Sequence, residues 1–357
     1  MKTKILGLLL PALLLVACSK SPAQKEAAQS PAPVVSTAPA PQPAPNPLPA
    51  PEPSAAAGRA IKTEMRNVKF HFTDTAWAHI DTLSGTLLPT GKNEMPDFND
   101  KRSFEVHVTA GKMSITPEAL GEIMNTFIFN KPDAPLKGVT VAIDKDKLVI
   151  KGKLNSKGFI PFQTVGTLSA SPDGRLAIHT EKLKALHVPV KGMMSLFGID
   201  LANVVNTSKI DGLEVDKDDL LMDLGKLLPP PHLLGKCTAV RLENGSIVTV
   251  LGDLNKSSAA TEKGSYMTFV GGPVRFGKLL MESADLTVLD LDPGDALDWN
   301  QDRYKDQLVA GYSKITPNFG LRAYVKDFAK LPRSSRGQGA VAQKTQSAAP
   351  DPAPPKP

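Results

Sequence analysis

The chain predicts an α+β fold, mainly β, with a curved antiparallel sheet wrapped around short apolar helices. Three observations predict it. Apolar and polar residues alternate over many short runs, the period of half-buried strands. Turn signals built from Gly, Pro, Asn and Asp separate those runs. Two stretches, 117–129 and 191–205, change to helical spacing. A Pro/Ala-rich N-terminal tether and C-terminal tail flank this unit and are expected to be disordered.

The first residues carry a secretory signal. Lys2 and Lys4 supply its positive start, and Ile5 to Val16 an apolar run shorter than the roughly 20 residues a membrane-spanning helix needs. Leu15-Val16-Ala17-Cys18 resembles the lipobox of bacterial lipoproteins. That resemblance implies cleavage before Cys18, a diacylglyceryl thioether on its sulfur and an acyl chain such as palmitate on its new amino group. Several acyl chains anchor firmly, because each buried CH₂ contributes about 0.8 kcal/mol. The expected location is therefore lipid-anchored in the cell envelope, facing the periplasm. Ser19 favours the outer membrane, the expected location, whereas Lys20 and Ser21 resemble an inner-membrane retention signal of some species.

The expected divisions are a signal peptide (1–17), a disordered tether (18–58), an α+β domain (59–255), a C-terminal β/α extension (264–331) and a disordered tail (332–357). The tether has too little branched apolar area to offset ordering entropy. At ~3.1 Å per residue, about 40 residues of polyproline II reach on the order of 100 Å.

Within the foldable part, Val68, Phe70 and Phe72 alternate with Lys69, His71 and Thr73, and Ile80 to Leu88 continues as a second strand. Phe104, Val106 and Val108 alternate again, with Ala110-Gly111-Lys112 read as a turn before Met113 and Ile115. Thr116-Pro117-Glu118 opens a helix: a hydroxyl N-cap, proline at the first helical position, and an acid near the positive end of the dipole. Leu120, Ile123, Met124, Phe127 and Ile128 share one helical face.

Val139 to Ile143 and Leu148 to Leu154 form a meander. Phe159 to Leu168 follows, its Pro161 predicting an edge or bulge. After the Ser171-Pro172-Asp173-Gly174 turn, alternation resumes from Leu176 towards Val190. The second helix carries Met193, Met194, Leu196 and Phe197, and Gly198 and Asp200 predict a kink. Residues 218–224 read as a strand, Pro229-Pro230-Pro231 interrupts, and Lys236 to Leu251 is a hairpin over Asn244-Gly245. Phe276 to Leu291 reads as paired strands, and a helix capped by Asp295 is expected from Ala296 to about Gly311.

Chemistry-bearing motifs are few. The sequence has no Gly-x-Ser-x-Gly elbow, His-Glu-x-x-His pair, phosphate-binding Gly loop or paired-cysteine metal motif. His71, His79 and His107 fall on strands and read as solvated. Asp290, Asp292, Asp295 and Asp298 form the one dense acid group, so calcium is conceivable. An EF-hand numbered from Asp290 needs glycine at position 295 and glutamate at position 301, where the chain has Asp295 and Gln301. A strand end, turn and cap account for the acids, and neither metal nor cofactor is expected. With Cys18 lipidated, Cys237 has no disulfide partner and reads as a buried, inert thiol. The net charge of +6 is scattered, and export argues against nucleic acid, so anionic headgroups are its more sensible partner.

Residues 66–252 resemble the LmeA-like family of cell-envelope phospholipid-binding proteins, which is itself similar to the tubular lipid-binding proteins. The resemblance is carried by four features: the helix after Ile115, the Gly166–Leu176 run, Val188-Pro189-Val190, and Leu227-Leu228-Pro229-Pro230-Pro231 before the last hairpin. It implies a non-catalytic binder, or shuttle, of a phospholipid or other lipid-tailed molecule. Leu120, Ile123, Met124, Phe127, Met193, Leu196 and Phe197 would line the lipid site. The alternative reading is a structural or assembly lipoprotein that binds another envelope protein.

Overall fold

The structure, a computed structural model, describes residues 60–155, 159–185 and 205–332. β1 (Ile61–His71), β2 (Trp77–Pro89) and β3 (Phe104–Ile115) form an antiparallel meander. α1 (Pro117–Ile123) follows and passes into a π-helical turn at Met124–Ile128. β4 (Leu136–Asp144), β5 (Lys147–Asn155), β6 (Phe159–Ala170), β7 (Leu176–Ala185), β8 (Leu213–Asp216) and β9 (Asp219–Met222) build a six-stranded antiparallel sheet ordered β4-β5-β6-β7-β9-β8.

α2 (Leu224–Leu227) and β10 (His232–Leu234) return the chain to the first sheet, where β10 runs parallel to β3. The hairpin β11 (Cys237–Glu243) and β12 (Ser246–Gly252) extends that sheet beyond β3. β13 (Tyr266–Gly271), the small ribbon β14 (Val274–Phe276) and β15 (Leu279–Met281), and β16 (Ala284–Asp290) come next. β17 (Leu297–Asn300), α3 (Tyr304–Val309), β18 (Tyr312–Ile315) and β19 (Leu321–Val325) follow. The large sheet runs β11-β12-β3-β2-β1-β13-β16-β19-β18, with β10 on β3 and β17 on β1. The fold is thus mainly β, with curved open sheets and short helices. Within residues 266–325, β13 and β17 are hydrogen-bonded directly onto β1.

β1 is two strands in one. Asn67 has φ +51, a left-handed conformation that asparagine tolerates better than most residues. Before it Ile61 and Met65 face the core; after it Val68 and Phe70 do, so the inward parity shifts. The neighbour changes at the same point. β13 pairs Lys62 to Arg66, and β17 takes over at Val68 to His71.

Two apolar clusters hold the molecule. One lies on the large sheet around Phe70, Phe98, Phe269, Leu286 and Trp299. The other lies between the six-stranded sheet and α1, around Leu120, Met124, Val139, Leu148 and Met222. Ile115, Leu224 and Val240 touch both clusters and join them.

Several expectations are met in detail. Thr116 caps α1, its Oγ1 accepting from Ala119 N at 3.2 Å, with Pro117 at the first turn. Asn244 and Gly245 turn the last hairpin at φ +51 and +74, as a two-residue primed turn requires. Gly174 closes its turn at φ +91, donating from N to Ser171 O at 2.9 Å.

Three expectations are corrected. Ala110 to Lys112 is not a turn, because each residue pairs with β2 on one side and β12 on the other. Ladder bonds on both flanks outweigh the local turn preference of Gly111. The helix expected from Ala296 to Gly311 exists only as α3, because Leu297 to Asn300 is fully buried as a strand beside β1. His71 is not solvated. Its side of β1 is covered by Trp77 and Phe328, and it is 4% exposed. The second predicted helix lies outside the described residues apart from Val205, which is buried.

Candidate functional site

The residues expected to line a lipid site divide into two groups. Leu120, Ile123 and Met124 are buried on the inner face of α1 and its π-helical continuation, and Phe127 is half-buried. Asn125 pins this helix to β4, its Nδ2 donating to Val139 O at 2.7 Å and its Oδ1 accepting from Val139 N at 2.8 Å. The described part of the set is split: Leu120 and Met124 belong to the cluster over the six-stranded sheet, whereas Ile123 and Phe127 pack with the cluster on the large sheet. Met193, Leu196, Phe197 and Cys18 lie outside the described residues.

Chemistry gathers elsewhere, where β16 and β19 end. One carboxylate oxygen from each of Asp290, Asp295 and Asp327 lies within 4.8 Å of the others. Asp290 closes β16 and is 8% exposed. Its Oδ1 accepts from Asp292 N at 2.8 Å, and its Oδ2 has no hydrogen-bond partner. Burial pushes the Asp290 carboxyl up to about 7, with the negative Asp327 and Asp295 adding to the rise. Lys330 Nζ is the local counter-charge, 2.7 Å from Asp292, 2.8 Å from Asp327 and 3.4 Å from Asp295. The hydrogen bond from Lys330 holds Asp292 below the usual carboxylate range.

Asp327 also reaches inward, its Oδ1 accepting from Asp298 N at 2.9 Å. Asp298 lies against His71, with Oδ1 and Nε2 2.6 Å apart, and both are buried. Burial raises the Asp298 carboxyl, but His71, Lys69 and the Ala329 N–H outweigh it and hold it below its ordinary value. The His71 Nδ1 has no hydrogen-bond partner. The sequence shows Asp290, Asp292 and Asp295 together, but not Asp327 or Lys330, which only the pairing of β16 with β19 brings there. Asp298, grouped with the acids by spacing, faces His71 instead.

A shelf adjoins the acids on the same sheet. The rings of Tyr312 and Tyr324 stack with centroids 4.6 Å apart, and Lys314 Nζ lies 5.4 and 5.5 Å from them. With Ala260 to Lys263 and Leu289 to Leu291, the tyrosines line an open concavity of about 860 Å³. Such a surface can take a flat or apolar group, while the acid group beside it can hold positive charge.

No family model, curated protein or solved structure matches the chain. The functional reading therefore rests on residues and geometry. Among the described residues no helix is long and apolar enough to cross a membrane. Cys237 is 3% exposed, and burial pushes its thiol up, as expected of an inert core cysteine.

Proposed function

We propose that the protein is a membrane-anchored periplasmic lipoprotein, held by lipid on Cys18, that binds a phospholipid or other lipid-tailed envelope molecule without covalent chemistry. The observation that carries this reading is an exposed apolar end of the large sheet, where the chain arrives from Cys18 at Ala60. Lys62 pairs with Val270, Val270 with Asp285, and Leu286 with Leu321. The turn between β18 and β19 therefore stands at the same end of the sheet as the start of β1. At this end Phe319 is 91% exposed, Ile315 66% and Val270 47%.

Phe319 is the sharpest feature of that end. It sits at φ +62, a conformation costly for a bulky residue. The turn is firmly closed: Thr316 N donates to Gly320 O, and Gly320 N to Thr316 Oγ1, both at 2.8 Å. A ring held out into water on a strained backbone gains nothing inside the protein. Against acyl chains it gains about 1.5–3 kcal/mol. The tether expected from the sequence, with a reach on the order of 100 Å, leaves this end free to touch the anchoring membrane. In this reading Leu120 and Met124 on one side of α1, with Ile123 and Phe127 on the other, contact an acyl chain together with Met193, Leu196 and Phe197.

The test is native mass spectrometry with lipid extraction on the full mature chain carrying Cys18→Ser, purified from periplasm. A stoichiometric co-purified lipid supports the reading and names its ligand class. A folded, lipid-free mass that also refuses added phospholipid defeats it.

One observation favours the second reading, an assembly lipoprotein that binds another envelope protein. β18 is an edge strand with every residue exposed, a template for strand addition by a partner. Ser313→Lys along that edge should abolish cross-linking to such a partner while leaving binding to vesicles intact.

A further inference from the structure

We propose that Asp290, Asp295 and Asp327 form a binding site for one calcium ion. The site stands on two observations. The first is geometric: one carboxylate oxygen from each of the three acids lies within 4.8 Å of the others, close enough for all three to ligate one calcium ion at about 2.4 Å. Calcium accepts irregular oxygen coordination such as this, whereas magnesium demands a near-ideal octahedron and gives up its waters reluctantly. The second is that Asp290, 8% exposed, keeps Oδ2 without a hydrogen-bond partner beside two further acids. A buried carboxylate oxygen left unpaired is costly. Two more like charges next to it raise that cost, and a divalent cation removes it.

Lys330 does not complete the site. Its ammonium contacts Asp292, Asp295 and Asp327, and no ion pair joins it to Asp290. One positive charge faces four carboxylates there. Calcium would displace the ammonium from the acids, and Asp292, which is exposed at the rim, is placed to follow. The 290–295 segment joins β16 to β17, and Asp327 follows β19, so an ion would tie three strands of the large sheet together. This inference is independent of the lipid reading.

The experiment uses the full-length protein in detergent micelles, stripped with chelator and titrated with calcium by calorimetry, with melting followed in parallel. The expected result is one calcium per chain and a rise in melting temperature that chelator reverses. Asp290→Asn, nearly isosteric, and Asp295→Asn, at a side chain 58% exposed, should each weaken binding at least roughly tenfold while circular dichroism stays native. Lys330→Met should tighten calcium binding, because the competing ammonium is gone; a purely structural lysine predicts no such gain. Absence of binding at millimolar calcium overturns the proposal, as does undiminished binding by both aspartate variants. Magnesium bound as tightly as calcium overturns the choice of ion.

Discussion

At the scale of single residues, Asp290 makes the clearest demand on solution behaviour. Its folded value, about 7, lies above its ordinary 3.8, so the native protein holds this proton more tightly than the unfolded chain does. The stability it contributes is complete below pH 3.8 and is lost as pH rises to about 7. Asp292 and Asp298 are shifted the other way, so their contributions disappear only below 3.8 and leave the upper window to Asp290. With calcium chelated, melts of the full chain should lose stability between pH 4 and 7. Asp290→Asn should flatten that profile and gain on the order of 2 kcal/mol at pH 8. Parallel profiles for the two proteins would refute the assignment. Spacing in the sequence revealed the acid run, but not how deeply its first member is buried. That depth comes from strands distant in the chain, as does the covering of His71 by Phe328.

At the scale of elements, α1 was the most legible. Thr116, Pro117 and the apolar spacing after them act through neighbours within a few residues, and all three appear as read. Thr116→Ala should cost about 1 kcal/mol in chemical denaturation, since Ala119 N then loses its acceptor. The turn between β18 and β19 illustrates the opposite. Phe319 departs from the residue types that suit a positive φ, and nothing in the local pattern announces its exposure. Phe319→Asn should relieve strain and stabilise the fold by up to about 1 kcal/mol while weakening sedimentation with anionic vesicles several-fold. A variant that loses stability and keeps vesicle binding would show that the ring packs rather than docks. β17 was misread because the alternation of Leu297-Asp298-Trp299-Asn300 spans only four residues and follows the cap signal of Asp295. Its conformation is imposed by pairing with Val68 to His71.

At the scale of the molecule, the C-terminal third belongs to the core. Phe269, Leu286, Trp299 and Val325 lie in the same apolar cluster as Met65 and Phe70. A chain ended at residue 255 would expose one edge of β1 and remove those side chains from its core. It should be insoluble or bind hydrophobic dyes, whereas the full chain should melt in one transition. A soluble, cooperatively melting fragment 60–255 would contradict this account.

By itself the sequence determined the mainly β class, the first helix, the tight turns at Gly174 and Asn244-Gly245, and the buried character of Cys237. Each depends on patterning or on backbone preferences over a few residues. Only the tertiary structure decided the rest. Insertion of β13 beside β1, passage of β3 through Gly111 and convergence of Asp327 and Lys330 on Asp290 are long-range pairings. Such pairings are chosen by how whole sheets bury their faces and edges. Local propensity differs between the alternatives by roughly 1 kcal/mol per residue or less, which burial and ladder bonds readily override.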